Sequence, residues 1–125
     1  LAINLPLMVA WQAYGEAFAI ARSVGWNSKR LVDLFTESNG GNKALTARAE
    51  MIAKMLDGQD PGPTTFSIAN GLKDLRTMVA AGEALGADML ATKAALSGFE
   101  DAVAHGQGGG DGSQMTAYWS SRKKK

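Results

Sequence analysis

The chain has 125 residues, of which 46% are hydrophobic and 20% charged, with a formal net charge of +1. That is the composition of one soluble globular domain with its own core. It contains no cysteine and a single histidine, His105, which excludes a disulfide framework, a thiol nucleophile, a Cys-ligated metal and a multi-His metal site; the lack of thiols is compatible with the reducing cytoplasm expected for it.

The charge is unevenly placed. Arg122, Lys123, Lys124 and Lys125 supply four of the thirteen cations, so the body ahead of them is acidic overall. A basic run this short at a terminus is expected to be a solvated, disordered tail (122–125) outside the folded domain (1–121). Nucleic-acid binding needs basic side chains spread over a folded face, so nucleic acid is not an expected partner. The chain opens at Leu1 inside an apolar run, without the basic start or cleavage site of a secretory signal. The expectation is that a segment upstream is missing.

Residues 2–24 read as one long helix. Leu5, Leu7, Met8, Val9, Trp11, Tyr14, Phe18 and Ile20 are not confined to one stripe, the pattern of a membrane span or of a central bundle helix. Asn4, Pro6, Gln12, Gly15 and Glu16 argue for the bundle, since a mid-helix Glu is costly in lipid. Pro6 should kink or begin this helix, and Gly25 should end it. A second helix over 28–38, capped by Asn27 or Ser28, carries Leu31, Leu34 and Phe35. A third over 42–57 presents Leu45, Ala49, Ile52, Ala53 and Leu56. The segment from Gly58 to Thr65 is a loop, with Thr65 the expected N-cap of a fourth helix over 66–85; Gly82 within it should mark close helix packing. A fifth helix spans 88–104 with Asp88 as its cap, and a short last one spans 113–121. No segment alternates long enough to be a strand. The fold class is all-α, an orthogonal bundle of about six helices around a long, apolar first helix.

Four features could carry chemistry. The run Gly106–Ser113 is rich enough in glycine to cradle a phosphate, but it follows a helix and not a strand; a flexible connector, with Asp111 or Ser113 capping the last helix, is the simpler reading. His105 sits at a helix end, where a cation favours the dipole. Lys73-Asp74 lies beside the apolar stripe of helix four, and Phe66, seven residues earlier, falls on nearly the same face, so that an aromatic ring and an ammonium could line one cleft. Asn4 is polar within a run of hydrophobes: it either bonds neighbouring backbone or faces a cleft and bonds a ligand.

In sequence order these pieces are Asn4 in Leu-Ala-Ile-Asn-Leu, Gly15-Glu16-Ala17-Phe18-Ala19 followed by Gly25, Phe66 with Leu72-Lys73-Asp74-Leu75, Leu85-Gly86-Ala87-Asp88, and Gly106-Gln107-Gly108-Gly109-Gly110-Asp111-Gly112-Ser113, similar to a Gly-x-Gly-x-x-Asp-x-Ser pattern. Their order and spacing resemble the C-terminal domain of the β-hydroxyacid dehydrogenase family, which includes 3-hydroxyisobutyrate dehydrogenase and tartronate semialdehyde reductase, and whose C-terminal domain is like that of 6-phosphogluconate dehydrogenase. The resemblance implies a parent protein that binds NAD or NADP on an N-terminal Rossmann domain and interconverts a small 3-hydroxy acid and its semialdehyde. It implies a lysine acting as general acid/base, which would fall immediately before Leu1, so that no catalytic residue lies in this chain. Asn4 matches the asparagine that holds the substrate, and Phe66 an aromatic on the cleft wall. Lys73 matches a lysine that closes over the coenzyme, with Asp74 orienting it.

A lysine base needs a lowered pKa, which burial between two domains supplies. The expected partners are the chain's own Rossmann domain, the small substrate and a second copy, the dimer being held by helix one or by helix exchange, since so apolar a first helix exposes more hydrophobic surface than a small bundle covers. No membrane, no metal and no coenzyme bound to this domain alone are expected. Leu5, Pro6 and Asp88-Met89 depart from the family pattern. The competing reading is a non-catalytic helical module used for interaction or oligomerisation.

Overall fold

The structure is a computed structural model that describes residues 2–123. Among the described residues there are seven α-helices and no named strand: α1 (Leu5–Ala21), α2 (Ser28–Thr36), α3 (Lys43–Ala47), α4 (Ala49–Leu56), α5 (Ile68–Ala84), α6 (Leu90–Ala104) and α7 (Met115–Ser121). The protein is all-α. No described helix is long and apolar enough to cross a membrane.

The first helical run is continuous from Ala2 to Val24, with a 3₁₀ turn at each end of α1. Pro6 lies in the first turn of α1, where its missing N–H has no intrahelical partner to lose, so it begins the helix and does not kink it. Gly25 stops the run with φ 83°. This helix is not buried on every side. One stripe (Met8, Trp11, Tyr14, Gly15, Phe18) is buried, while Ile3 and Ile20 stand 91% and 77% exposed. The stripe packs along α7 and across α5 and α6.

Three boundaries differ from the sequence expectation. The helix expected over 42–57 is broken at Arg48, whose φ of −108° and ψ of 12° turn α3 into α4. Helix α5 starts at Ile68, capped by Ser67 and not Thr65: the Ser67 hydroxyl accepts from the Asn70 amide at 3.1 Å. Asp88 caps nothing, because Met89 is the residue preceding α6 and no side chain bonds its first turn. Asn27 and Asn42 cap α2 and α3 by accepting from the amides of Arg30 and Leu45.

The core gathers Phe18, Leu31, Val32, Leu45, Ile52, Ile68, Leu75, Phe99 and Met115, each essentially without solvent contact. Full burial of one such side chain is worth roughly 1.5–3 kcal/mol. Close approach sets how the helices cross. A Cβ on Gly15 would lie 2.6 Å from the Trp119 Cβ and 2.8 Å from the Met115 carbonyl, and one on Gly71 would lie 2.7 Å from the Phe99 ring. Gly82 lies against the Met89 side chain, at the turn joining α5 to α6. The Tyr14 hydroxyl donates to the Gly40 carbonyl at 2.7 Å and accepts from the Asn42 amide at 3.0 Å, tying the α2–α3 turn to α1.

Arg122, grouped with the basic tail on sequence, is engaged with the folded body. Its guanidinium donates to both Asp101 oxygens at 3.0 and 3.1 Å, and the Tyr118 hydroxyl donates to the same carboxylate at 2.6 Å. The Arg122 and Tyr118 hydrogen bonds hold the Asp101 carboxyl down at about 2. Burial, together with the bond to Asp101, pushes Tyr118 up to about 12. Lys123 is exposed; Lys124 and Lys125, the rest of the expected tail, lie outside the described residues.

Candidate functional site

The run that suggested a phosphate cradle is pinned in place, not a flexible connector. Its carbonyls turn toward α5: the Ile68 amide donates to Gly110 O at 2.8 Å and the Ala69 amide to Gly108 O at 2.9 Å. In return the Gly112 amide donates to Phe66 O at 2.7 Å, and Ser67 and Asp111 form an antiparallel bridge. The first N–H groups of α5 are the ones a phosphate would need. They are already satisfied by the glycine carbonyls and the Ser67 hydroxyl, so neither the loop nor this helix end fits a pyrophosphate.

Asp111 sits at the centre of this junction and is 4% exposed. One carboxylate oxygen accepts from the Thr65 amide and hydroxyl, both at 3.2 Å. The other accepts from the Ser113 amide at 3.1 Å, the Ser113 hydroxyl at 2.5 Å and the Arg48 guanidinium at 3.2 Å. A second Arg48 nitrogen donates to the Thr65 hydroxyl at 2.9 Å. Burial pushes the Asp111 pKa up, but the Ser113 hydroxyl, the Ser113 and Thr65 amides and the Arg48 charge together carry it below the ordinary carboxylate value.

Beside this junction lies a recess of about 130 Å³, lined on one side by Asn4, Leu7, Met8 and Trp11 of the first helical run and on the other by Arg48, Phe66 and residues 111–113. Asn4 is exposed at its edge, and Phe66 is half-buried. Two of the residues singled out on sequence, 62 positions apart in the chain, thus face one hollow. Lys73 and Asp74 do not line it. Phe66 precedes the Ser67 cap and is not part of α5, so the helical spacing used to put it on a face with Lys73 does not apply. Lys73 is exposed on α5 and Asp74 half-buried; among the described residues Lys73 has no ion pair within 4 Å. His105 caps α6, with Nδ1 2.7 Å from the Asp101 carbonyl; it takes no part in the recess.

Arg48 and Thr65 escaped the sequence reading as parts of this site. A lone Arg in a helical stretch carries no signal, and Thr65 looked like a cap. Asp111 stands in the Gly-x-Gly-x-x-Asp-x-Ser pattern, but the only role its sequence position suggests is a cap, which it also is. Among the described residues no cluster of His, Asp or Glu could hold a metal.

The model of a family described as the NAD-binding domain of NADP-dependent 3-hydroxyisobutyrate dehydrogenase matches residues 1–119, and the chain belongs to that family. None of the curated proteins compared with it matches.

Proposed function

We propose that this domain supplies the substrate-holding wall of an NAD(P)-dependent dehydrogenase acting on a small 3-hydroxy acid or its semialdehyde, and that a Rossmann domain supplies the coenzyme and the proton-transferring lysine. The observation that carries this reading is the convergence of Asn4 and Phe66 on one recess, in a chain whose family is named for such an enzyme. The nicotinamide, when bound, supplies the hydride chemistry; the protein binds and orients. The Asn4 amide both donates and accepts, which suits a hydroxyl or carboxylate of the substrate. Phe66 and Trp11 keep water from its apolar side. Lys73, exposed on α5, reaches toward the coenzyme; Asp74, next to it in sequence, makes no ion pair with it among the described residues. Since the glycine-rich loop does not fit a pyrophosphate, the coenzyme's main contacts are assigned to the Rossmann domain.

The test is a titration of the 125-residue chain with 3-hydroxyisobutyrate, followed by amide and side-chain resonances. Saturable shifts at Asn4, Phe66 and Gly112 are expected, weakened by Asn4→Ala. Shifts elsewhere, or none, would overturn the reading. The chain alone should not oxidise NAD(P)H with a semialdehyde; turnover by the pure chain would equally refute the division of labour.

A second role is favoured by a specific feature. Ile3, Leu85 and Leu90 are 91%, 88% and 72% exposed, and an almost wholly apolar groove runs between Ala2, Leu5, Met78, Leu85 and Met89. Exposed apolar surface of this kind marks association. We assign it to a homodimer that includes the first helix. Light scattering should give twice the chain mass, and Leu85→Asp should return it to the monomer; a clean monomer at high concentration would refute the assignment.

A further inference from the structure

We infer that Asp111, held by Arg48, is a positioning residue that fixes the Phe66 wall of the substrate recess; the inference rests on the function proposed above. Asp111 lines the recess, so it could be taken for a substrate-binding carboxylate. Its hydrogen bonds argue otherwise. Two donors from Thr65 converge on one oxygen, and two from Ser113 and one from Arg48 on the other. A carboxylate offers about four lone-pair sites. All are occupied by the protein, so none remains for a ligand.

What those bonds accomplish is local. Thr65 directly precedes Phe66, and Ser67, directly after it, bridges to Asp111. The Phe66 carbonyl accepts from Gly112, the residue directly after Asp111. Phe66 thus lies outside any helix, yet is clamped on both sides by contacts to a segment over 40 residues away. Arg48 closes the ring by donating to both Asp111 and Thr65. The arginine's charge is thereby matched by a buried partner, so the recess keeps little net charge beside the Asn4 amide. A wall residue in a loop holds its place only when such a shell supports it.

The experiment uses the full chain with Asp111→Asn, Phe66→Ala, the double variant and, as a control on the recess, Asn4→Ala. The first readout is amide exchange. Asp111→Asn should speed exchange at Thr65 and Gly112 about tenfold, the loss of one charge-assisted bond, while Leu75 in the core stays protected. Unchanged exchange at Thr65 and Gly112 would overturn the inference. Should Leu75 lose protection too, Arg48→Gln replaces it. That variant leaves Asp111 in place and should speed the same two amides to a lesser degree; no change there would overturn the inference as well.

The second readout is affinity for 3-hydroxyisobutyrate. If Asp111 acts through Phe66, the double variant should bind no more weakly than Phe66→Ala alone, whereas multiplying losses would overturn the idea. If Asn4→Ala and Phe66→Ala both leave binding unchanged, the proposed function fails, and amide exchange still decides the role of Asp111.

Discussion

Replacing Gly15 by Ala tests the packing on which the recess depends. Gly15 is buried mid-way along α1 with a negative φ, so Ala can adopt its backbone conformation, and in an isolated helix the change would stabilise by about 1 kcal/mol. In this fold the new methyl would meet the Trp119 Cβ at 2.6 Å and the Met115 carbonyl at 2.8 Å. Neither atom is the end of a flexible side chain. Both belong to the frame of α7, so relief requires the two helices to part. Overpacking of this kind costs about 1–3 kcal/mol, and a clash with backbone on the far side sits at the upper end. Subtracting the propensity gain leaves a net loss of about 2 kcal/mol, or a fall in Tm of roughly 6–10 °C for a chain of this size. Helix α7 follows the Asp111–Gln114 turn directly, so the parting should also shift the resonances of Gly112. Thermal unfolding by circular dichroism checks the first expectation and an amide spectrum the second. A Gly15→Ala chain as stable as the parent, or more stable, would refute the claim that this glycine exists to let α1 and α7 touch.

The Asp101 cluster predicts a pH dependence. Its folded pKa of about 2 lies below the ordinary carboxylate value of 3.8, so its stabilisation is fully present above about pH 4 and is lost as pH falls through 2. Asp101→Asn should lower stability at neutral pH and flatten the acid limb of denaturant midpoints against pH; an unchanged acid limb would count against the cluster. Tyr118, raised from 10.0 to about 12, contributes stability present below pH 10 and lost as pH rises through 12, which tyrosinate absorbance compared between parent and Tyr118→Phe would read. Tyr14→Phe strips the hydroxyl that bridges Gly40 and Asn42; a loss of about 1–2 kcal/mol in urea unfolding is expected, with faster exchange at the Asn42 amide. Ser67→Ala removes the α5 cap and should cost about 1 kcal/mol, whereas Thr65→Ala should weaken the Asp111 ring without loosening the Asn70 amide.

That contrast between Thr65 and Ser67 shows where local chemistry stopped being legible. Both are good capping residues two positions apart, and composition favours neither. The choice is made from across the molecule: Gly108 and Gly110 carbonyls take the Ala69 and Ile68 amides, fixing where the helix starts, and Asp111 takes Thr65 away from capping. The same long-range bonds turn a run of glycines that reads as a flexible connector into a fixed strip. Elsewhere the signals were local and sufficed. Gly25 and Gly86 end helices with φ above 80°, a backbone that a residue without Cβ adopts at little cost, and Asn27 caps α2 by accepting from the Arg30 amide. The break at Arg48 left no trace in the pattern, since Ala and Leu continue on both sides of it. The Arg48 side chain at this break is held from across the molecule, by Asp111 and Thr65.

The candidate site follows the same division. Asn4 is visible in the sequence as a lone amide among hydrophobes, and the structure places it exposed at the edge of the recess. Phe66 stands out through the family resemblance and through a helical spacing to Lys73; the spacing does not hold, since Phe66 lies outside α5. It faces the recess for a different reason: the Thr65, Ser67 and Gly112 contacts on either side clamp it there. Asn4 therefore carries a property of its own side chain, while Phe66 carries a property of the loop that presents it. Substitutions should separate the two. Changes at Asn4 should act on the ligand alone, and changes at Asp111 should reach the ligand only through Phe66.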